Sequence, residues 1–137
     1  MTAARIHRRQ FLKSATAGAA AAGFPAPLLS QGAGPPVVVI GGGFGGSSCA
    51  RTLRKADPRI AVTRVEANPV YTAPPQSNAV IAGWAELKGQ QFSYDKIKSA
   101  GINVALSAAT AIDPHGKTVT LADGSRLNYE RLVLSPG

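Results

Sequence analysis

The chain is poor in the residues that usually carry catalysis or hold metals. Its 137 residues include one cysteine, Cys49, two histidines and seven acidic side chains. A lone cysteine cannot form an internal disulfide, and small apolar neighbours predict a buried side chain for it rather than a redox or metal-binding group. His7 lies in the N-terminal segment, and His115 lies in a solvated Asp-Pro-His-Gly turn. The sequence therefore indicates no metal site and no identifiable catalytic base or nucleophile.

Aromatic residues are also scarce, at 6%, although the net charge is +8. Four of the fifteen basic residues stand within the first thirteen positions, and the other eleven are spread along the chain. Nucleic-acid binding would require a basic stripe with aromatic residues between the charges. We therefore expect no nucleic-acid partner.

The N-terminal segment has the features of an export signal. Arg8 to Lys13 reads RRQFLK, and the uncharged, small and apolar stretch Ala15 to Phe24 follows it. This order predicts a twin-arginine signal peptide with its linker over residues 1–33, and a mature protein in the periplasm. The alternative is a basic amphipathic start of a cytosolic protein, which the uncharged stretch disfavours. The stretch is too short and too weakly apolar for a transmembrane span.

A glycine-rich turn follows the apolar run Val37 to Ile40. Gly41, Gly43 and Gly46 have the G-x-G-x-x-G spacing, and the flanking sequence predicts a helix over Ser47 to Lys55. A second strand is predicted over Ile60 to Glu66, which ends in an acidic residue. Strand, glycine turn, helix and acidic strand end together are typical of a dinucleotide-binding βαβ unit.

Each of these residues has a physical role in such a unit. Gly41 permits the tight turn, Gly43 lets the backbone approach a pyrophosphate, and Gly46 lets the helix pack on the strand. The pyrophosphate would lie at the helix N-terminus, and Glu66 would accept hydrogen bonds from ribose hydroxyls. The alternative is a plain glycine turn beside a surface glutamate. The pattern predicts FAD or NAD as ligand, and FAD is favoured because free NAD(P)H is scarce in the periplasm. The predicted contacts at this turn are Gly41, Gly42, Gly43, Phe44, Gly45, Gly46, Glu66 and Ala67.

The remaining sequence predicts further strands and one helix. Helical spacing covers Phe92 to Ala100, with Gly101 as its stop. Tyr71 and Trp84 are interpreted as packing residues rather than stacking groups. Alternation and turn residues predict strands at Ile102–Leu106, Ala109–Asp113, Lys117–Leu121, Arg126–Tyr129 and Leu132–Leu134.

This order of elements predicts an α/β fold. A Rossmann-like FAD-binding domain with a parallel sheet and a β-meander insertion would occupy residues 34–137, and the last apolar strand would return to the sheet. We expect an incomplete two-dinucleotide-domain fold, in which the chain is the N-terminal part of a longer protein.

Several motifs together resemble one family. The twin-arginine leader, VVVIGGGFGG, RVEANPVYTAPPQSNAVIAG, GINVALSAATAIDPHGKTV and YERLVLSPG look like the flavoprotein subunit of flavocytochrome c sulfide dehydrogenase. In that family FAD takes two electrons from sulfide and passes them to a c-type cytochrome subunit. The resemblance implies a backbone contact to adenine at Ala109 and positions near the flavin for Pro136 and Gly137. It implies either a flavin contact or a turn-capping role for Asn78.

One position departs from the resembled pattern. The family usually has a cysteine, bonded covalently to the flavin, three residues before the Ser77-Asn78 pair. Here that position is Pro74, and no cysteine occurs from Glu66 to Gly137. The resemblance therefore implies FAD held non-covalently.

Three functions stay open at this point. The first is a periplasmic FAD-dependent oxidoreductase that takes electrons from a small sulfur donor and works with a cytochrome c partner. The second is a flavoenzyme of the sulfide:quinone or NADH:quinone type, since the dinucleotide and closing-strand motifs are shared with those proteins. The third is an inert fragment that retains no flavin.

Overall fold

The computed structural model describes residues 34–136, and the predicted leader and Gly137 lie outside this range. The described residues form nine strands: β1 (Pro36–Ile40), β2 (Ala61–Glu66), β3 (Tyr71–Thr72), β4 (Gln91–Phe92), β5 (Asn103–Leu106), β6 (Ala109–Asp113), β7 (Thr118–Leu121), β8 (Arg126–Asn128) and β9 (Arg131–Leu134). They also form the helices α1 (Phe44–Ala56), α2 (Ser77–Ile81) and α3 (Asp95–Lys98), and a 3₁₀ helix (Leu87–Gln90).

A four-stranded parallel sheet organises the domain in the order β5-β2-β1-β9. In β1 the three central valines are buried, and five of the six residues of β2 are buried. Consecutive residues of a strand are buried in this way when both faces of a parallel sheet are covered. The carboxyl ends of β1 and β9 lie side by side, because Ile40 is in register with Leu134. The Rossmann-like parallel sheet predicted from the sequence is confirmed.

Alternate residues of the sheet enter two separate cores. On one face, α1 and α3 cover Val37, Val39 and Val62, with Ala50 and Ile97 in the same cluster. On the other face, the antiparallel meander β6-β7-β8 covers the sheet, and its core contains Val38, Val65, Val119, Leu121, Leu127 and Tyr129. The two layers fix the sheet from both sides and leave the carboxyl ends of its strands free for the site.

Helix α1 begins at Phe44, three residues before the predicted start at Ser47. Gly43 is the extended N-cap residue, and its carbonyl accepts a 3.0 Å hydrogen bond from the Ser47 N–H. The first turn therefore includes Gly45 and Gly46. Ala50 occupies the buried position of the helix, so Cys49, predicted to be buried, is only half-buried.

The helix predicted over Phe92 to Ala100 is wrong in its extent. Phe92 pairs with Tyr71 in the two-stranded β3-β4 ribbon and is 53% exposed. Helix α3 starts at Asp95, whose carboxylate accepts a 2.7 Å hydrogen bond from the Ser93 hydroxyl. It ends before Gly101, whose φ of +76° is incompatible with a right-handed helix. Of the apolar residues Phe92, Ile97 and Ala100 in the predicted helix, only Ile97 is buried.

The predicted packing of Trp84 is also wrong among the described residues. Its side chain is 86% exposed, and Ile81 is 87% exposed. The short helix α2 buries none of its residues, and Gly83, with φ of +75°, turns the chain away immediately afterwards. This segment is therefore an apolar surface rather than part of either core.

Candidate functional site

A cleft of about 670 Å³ opens at the carboxyl ends of β1, β2 and β9. The glycine turn forms one wall, and the loop after β2 together with β3 forms the other. Its lining includes Gly42, Gly43, Phe44, Gly45, Glu66, Tyr71, Pro74, Tyr94, Ser135 and Pro136. Ligands of parallel α/β sheets bind at this edge of the sheet.

The glycines of the turn differ in the space around them. Gly41 has a φ of +119°, and a β-carbon there would collide with the Ser135 carbonyl. A β-carbon on Gly46 would collide with the Gly41 carbonyl and lie 3.5 Å from Val39. Turn geometry and close helix packing therefore require these two glycines.

Gly43 is different because its surroundings are open. Among the described residues, the atoms nearest to a β-carbon at Gly43 belong to the Tyr71 ring, 3.8 Å away. Since Gly43 lines the cleft, a ligand can approach the bare backbone at this point. The space suits a pyrophosphate group, which needs backbone N–H donors without intervening side chains.

The N-terminus of α1 supplies such donors. Gly43 offers no side-chain cap, and the first turn of α1 contains no acidic residue. The helix dipole places partial positive charge at this end, so an anion is stabilised there. Residues 43–46 therefore fit the phosphate part of a dinucleotide.

Glu66 reaches the same turn from the end of β2. Its carboxylate lies over Gly42, and one oxygen accepts a 3.2 Å hydrogen bond from the Asn68 N–H. The carboxylate has further acceptor capacity toward the cleft. The role of Glu66 as an acceptor for ribose hydroxyls stays a prediction.

A second cleft of about 230 Å³ adjoins the first and shares Glu66 and Pro136 with it. Its lining also includes Ala67, one of the predicted cofactor contacts, and Ala109, for which the resemblance implies a contact to adenine. The structure thus brings these four residues together. Their binding roles stay predictions.

Other predicted site residues lie less centrally or outside the described range. Phe44 is 59% exposed and contacts the Tyr71 ring edge-on, with a centroid distance of 5.6 Å. Asn78 lines neither cleft, and its side-chain oxygen accepts a 3.0 Å hydrogen bond from the Ala79 N–H. That bond is the turn-capping alternative noted from the sequence, so the flavin contact of Asn78 stays a prediction. Gly137 lies outside the described residues.

Sequence reasoning missed a buried cluster beneath the turn. Arg64 is 0% exposed, and its guanidinium lies 4.0 Å from the centroid of the Tyr94 ring. Its Nη1 donates a 2.8 Å hydrogen bond to the Ser47 hydroxyl. The only available signal was that Arg64 stands two residues before Glu66, and therefore on the same face of β2.

Burial perturbs both members of the stacked pair. Desolvation lowers the pKa of Arg64, although Tyr94 and Glu66 partly oppose this shift. Burial raises the pKa of the Tyr94 hydroxyl, Glu66 adds to that increase, and the Arg64 cation opposes it. The raised pKa keeps the Tyr94 hydroxyl protonated, and therefore neutral, at neutral pH.

Two features relevant to other functions are absent from residues 34–136. No three His, Cys, Asp or Glu side chains come together there in a way that could hold a metal ion. No helix in this part of the chain has the length and apolar character needed to cross a membrane.

Comparison with protein-family models gives two matches. Residues 35–137 match the pyridine nucleotide-disulphide oxidoreductase model. Residues 5–25 match the model of the twin-arginine translocation pathway signal sequence, which confirms the predicted export signal. The boundary at residue 33 stays a prediction.

Two relatives are similar in sequence. The chain is 30% identical over 102 residues to the sulfide-quinone reductase of Aquifex aeolicus (strain VF5), covering 74% of this chain and 24% of that protein. It is 59% identical over 44 residues to the flavoprotein chain of sulfide dehydrogenase (flavocytochrome c) of Chlorobaculum thiosulfatiphilum, covering 32% of this chain and 92% of that sequence. The resemblance inferred from the motifs is confirmed. The chain spans about a quarter of the length of the sulfide-quinone reductase.

Two solved structures are similar in fold. The sulfide:quinone oxidoreductase of Aquifex aeolicus has a TM-score of 0.72 at 30% identity, over 76% of this chain and 24% of that one. The covalent putidaredoxin reductase–putidaredoxin complex has a TM-score of 0.64 at 31% identity, over 75% of this chain and 26% of that one. Both comparisons support the Rossmann-like α/β fold of the described residues.

Proposed function

Since the chain belongs to the pyridine nucleotide-disulphide oxidoreductase family, we propose that it is part of a periplasmic FAD-dependent oxidoreductase. Its electron donor would be sulfide or a related small sulfur compound, and its acceptor a c-type cytochrome subunit. The observation that carries the cofactor assignment is the open backbone at Gly43, flanked by the uncapped end of α1 and by Glu66.

Different residues of the cleft would bind different parts of the cofactor. The N–H groups at the start of α1 bind the pyrophosphate, and the carboxylate of Glu66 accepts hydrogen bonds from the ribose. Ala67 and Ala109 line the smaller cleft and would contact the adenosine part, whereas Pro136 lines both clefts. Bound flavin supplies a two-electron acceptor, and these residues hold and orient it.

The binding would be non-covalent. Pro74 lines the main cleft, and a proline has no nucleophile that could bond to the flavin. The single thiol of the chain, Cys49, lies in α1 and lines neither cleft. Affinity then depends on the glycine turn, Glu66 and whatever contacts a longer protein would add.

Donor and acceptor are proposed from similarity and export. The 59% identity to the flavoprotein chain of a flavocytochrome c sulfide dehydrogenase supports a sulfur donor and a cytochrome partner. The twin-arginine signal supports a folded, cofactor-loaded protein outside the cytoplasm.

A second candidate is a sulfide:quinone type flavoenzyme. It is favoured by the similarity to the Aquifex sulfide-quinone reductase in both sequence and structure. In that case the same cleft would bind FAD, but a quinone would take the electrons.

The cofactor proposal is tested on the full chain with added FAD. We expect FAD to bind, seen as quenching of flavin fluorescence, and FMN to bind far more weakly because it lacks the adenosine part. After acid precipitation the yellow colour should be in the supernatant. A coloured pellet would contradict non-covalent binding, and a colourless protein with no quenching would favour an inert fragment.

The donor and acceptor are tested separately on flavin-loaded protein without oxygen. Sulfide should bleach the flavin absorption, and ferricytochrome c should restore it. Restoration by a soluble quinone but not by the cytochrome would favour the second candidate. Bound flavin that sulfide does not bleach would overturn the donor while leaving the cofactor proposal intact.

A further inference from the structure

A buried cation lies directly beneath the glycine turn. Arg64 is 0% exposed, yet it has no ion pair among the described residues, and its Nε and Nη2 atoms lack hydrogen-bond partners there. A buried charge without a paired anion is costly to stability. The burial of Arg64 is therefore explained by its polar contacts, which a leucine could not make.

One of its nitrogens connects to the turn through Ser47. Arg64 Nη1 donates to the Ser47 hydroxyl at 2.8 Å, and that hydroxyl donates to the Gly42 carbonyl at 3.0 Å. The charged donor on Arg64 polarises the hydroxyl and strengthens its bond to the carbonyl. Two hydrogen bonds in series thus fix the direction of the Gly42 carbonyl.

The carbonyl direction also determines where the next N–H points. Peptide bonds are planar, and the structure has no cis peptide among its described residues. The Gly43 N–H therefore points opposite to the Gly42 carbonyl, away from Ser47. Gly43 lines the cleft, so this N–H is one of the donors that a pyrophosphate would meet.

The same guanidinium supports the other side of the turn. It lies 4.0 Å from the centre of the Tyr94 ring, a cation–π contact. The Tyr94 hydroxyl and the Glu66 carboxylate both lie against Gly42. Arg64 therefore contacts two residues that both lie against Gly42. One is Ser47 on α1, and the other is Tyr94, which immediately precedes α3.

We propose that Arg64 is a positioning residue, which fixes the Gly42-Gly43 peptide through Ser47 so that the turn is ready to receive the pyrophosphate of the dinucleotide. The proposal rests on the proposed function for the ligand, but the order of the turn exists without it. The two parts can therefore be tested separately.

The first test is amide hydrogen exchange on the full chain without cofactor, comparing Arg64→Leu with wild type. The leucine variant should fold with an equal or higher unfolding midpoint, because a buried charge is removed. Exchange of the residue-47 amide, which donates a hydrogen bond to the Gly43 carbonyl, should become at least about tenfold faster, while β2 amides stay protected. Arg51→Leu, an exposed change of the same kind on α1, should leave the turn unchanged.

Ser47→Ala isolates the hydrogen-bond relay while leaving the cation–π contact intact. It should accelerate exchange at the turn as Arg64→Leu does, and the double variant should be no faster than either single one. Arg64→Lys should restore part of the protection, since an ammonium can reach Ser47 but cannot stack in the same way. The proposal would be overturned if exchange were unchanged in Arg64→Leu. It would also be overturned if the effects of Arg64→Leu and Ser47→Ala were fully additive in the double variant.

The second test measures FAD dissociation constants of the same variants. Arg64→Leu should weaken FAD binding by about tenfold, because a mobile turn must be ordered on binding, and Arg51→Leu should not. A looser turn with unchanged affinity would overturn the link to the ligand. A wild-type chain that binds no FAD would instead contradict the proposed function, and the exchange data would still decide the role of Arg64.

Discussion

The carboxylate of Glu66 occupies the space that a β-carbon on Gly42 would need. The Tyr94 hydroxyl lies 2.7 Å from the same point. Two polar groups from distant parts of the chain thus converge on a residue that carries no side chain. The absence of a side chain at position 42 is what lets an acceptor for the ribose lie beside the phosphate-binding turn.

A methyl group at this position should therefore reduce ligand affinity more than stability. In Gly42→Ala the methyl collides with the ends of the Glu66 and Tyr94 side chains rather than with backbone, and the Glu66 carboxylate can rotate away. We expect FAD binding to weaken by about tenfold, or about 1.4 kcal/mol, with a small change in the free energy of unfolding. Fluorescence titration and urea unfolding measure the two quantities.

Gly89→Ala is the matched control, because no heavy atom lies within 4 Å of a β-carbon built there. It should change neither affinity nor stability appreciably. An unaltered FAD affinity in Gly42→Ala would mean that Glu66 does not act from its position over the turn.

Substitutions of Gly46 and Gly43 should have opposite effects: the first should reduce stability, and the second should reduce FAD affinity. Gly46→Ala places a methyl against the Gly41 carbonyl, which is backbone and cannot move cheaply. We expect it to lower the free energy of unfolding by about 1–3 kcal/mol. Urea denaturation at equilibrium measures this loss.

Gly43→Ala, by contrast, adds a methyl in open space on a backbone with φ of −68°. Its stability should be unchanged or higher by up to about 1 kcal/mol, since alanine restricts the unfolded chain. FAD binding should weaken by about tenfold or more, because the methyl projects into the pyrophosphate space. Equal loss of stability in both variants would contradict the assignment of these roles.

Much of the fold was predictable because its signals are local. The valines of β1, the glycine spacing and the acidic end of β2 all lie within about thirty residues, a length typical of one βαβ unit. Each signal has its own physical cause, and all of them indicate the same βαβ unit. The alternating pattern of residues 117–121 likewise predicted the meander, because its alternate side chains are buried against the sheet.

The rest depends on contacts between distant residues. Arg64 in a strand gives no local sign that it is buried, since the only described hydrogen-bond partner of its side chain is seventeen residues away in α1. The start of α1 was placed too late because glycine has low helix propensity, whereas tertiary packing at Gly46 decides that turn. Trp84 was expected to pack, but no described element covers it.

Glu66→Gln tests the recognition of the ribose. The amide keeps the shape of the side chain but loses the charge, so hydrogen bonds from ribose hydroxyls weaken. We expect the FAD dissociation constant to rise by about tenfold or more, consistent with the loss of a charge-assisted bond. Binding of FMN, which has no adenosine ribose, should be unaffected in the same titration. An equal loss for both ligands would indicate a general change of the cleft instead.

The hydroxyl of Tyr94 provides a pH-dependent test of the buried cluster. Burial raises the pKa of this hydroxyl above the ordinary value for tyrosine, and Glu66 raises it further. The folded chain therefore keeps this proton at a pH where the unfolded chain has lost it. The stabilising contribution is fully present below about pH 10 and is lost as the pH rises further.

Urea unfolding between about pH 9 and 11 should consequently show a steeper loss of stability in wild type than in Tyr94→Phe, which has no proton to lose. Arg64→Leu should shift the ionisation of Tyr94 to still higher pH, because the cation that lowers its pKa is gone. Ultraviolet titration of tyrosinate, taken as the difference between each protein and its Tyr94→Phe counterpart, measures this shift. A shift to lower pH in Arg64→Leu would mean that the guanidinium does not lie over the Tyr94 ring.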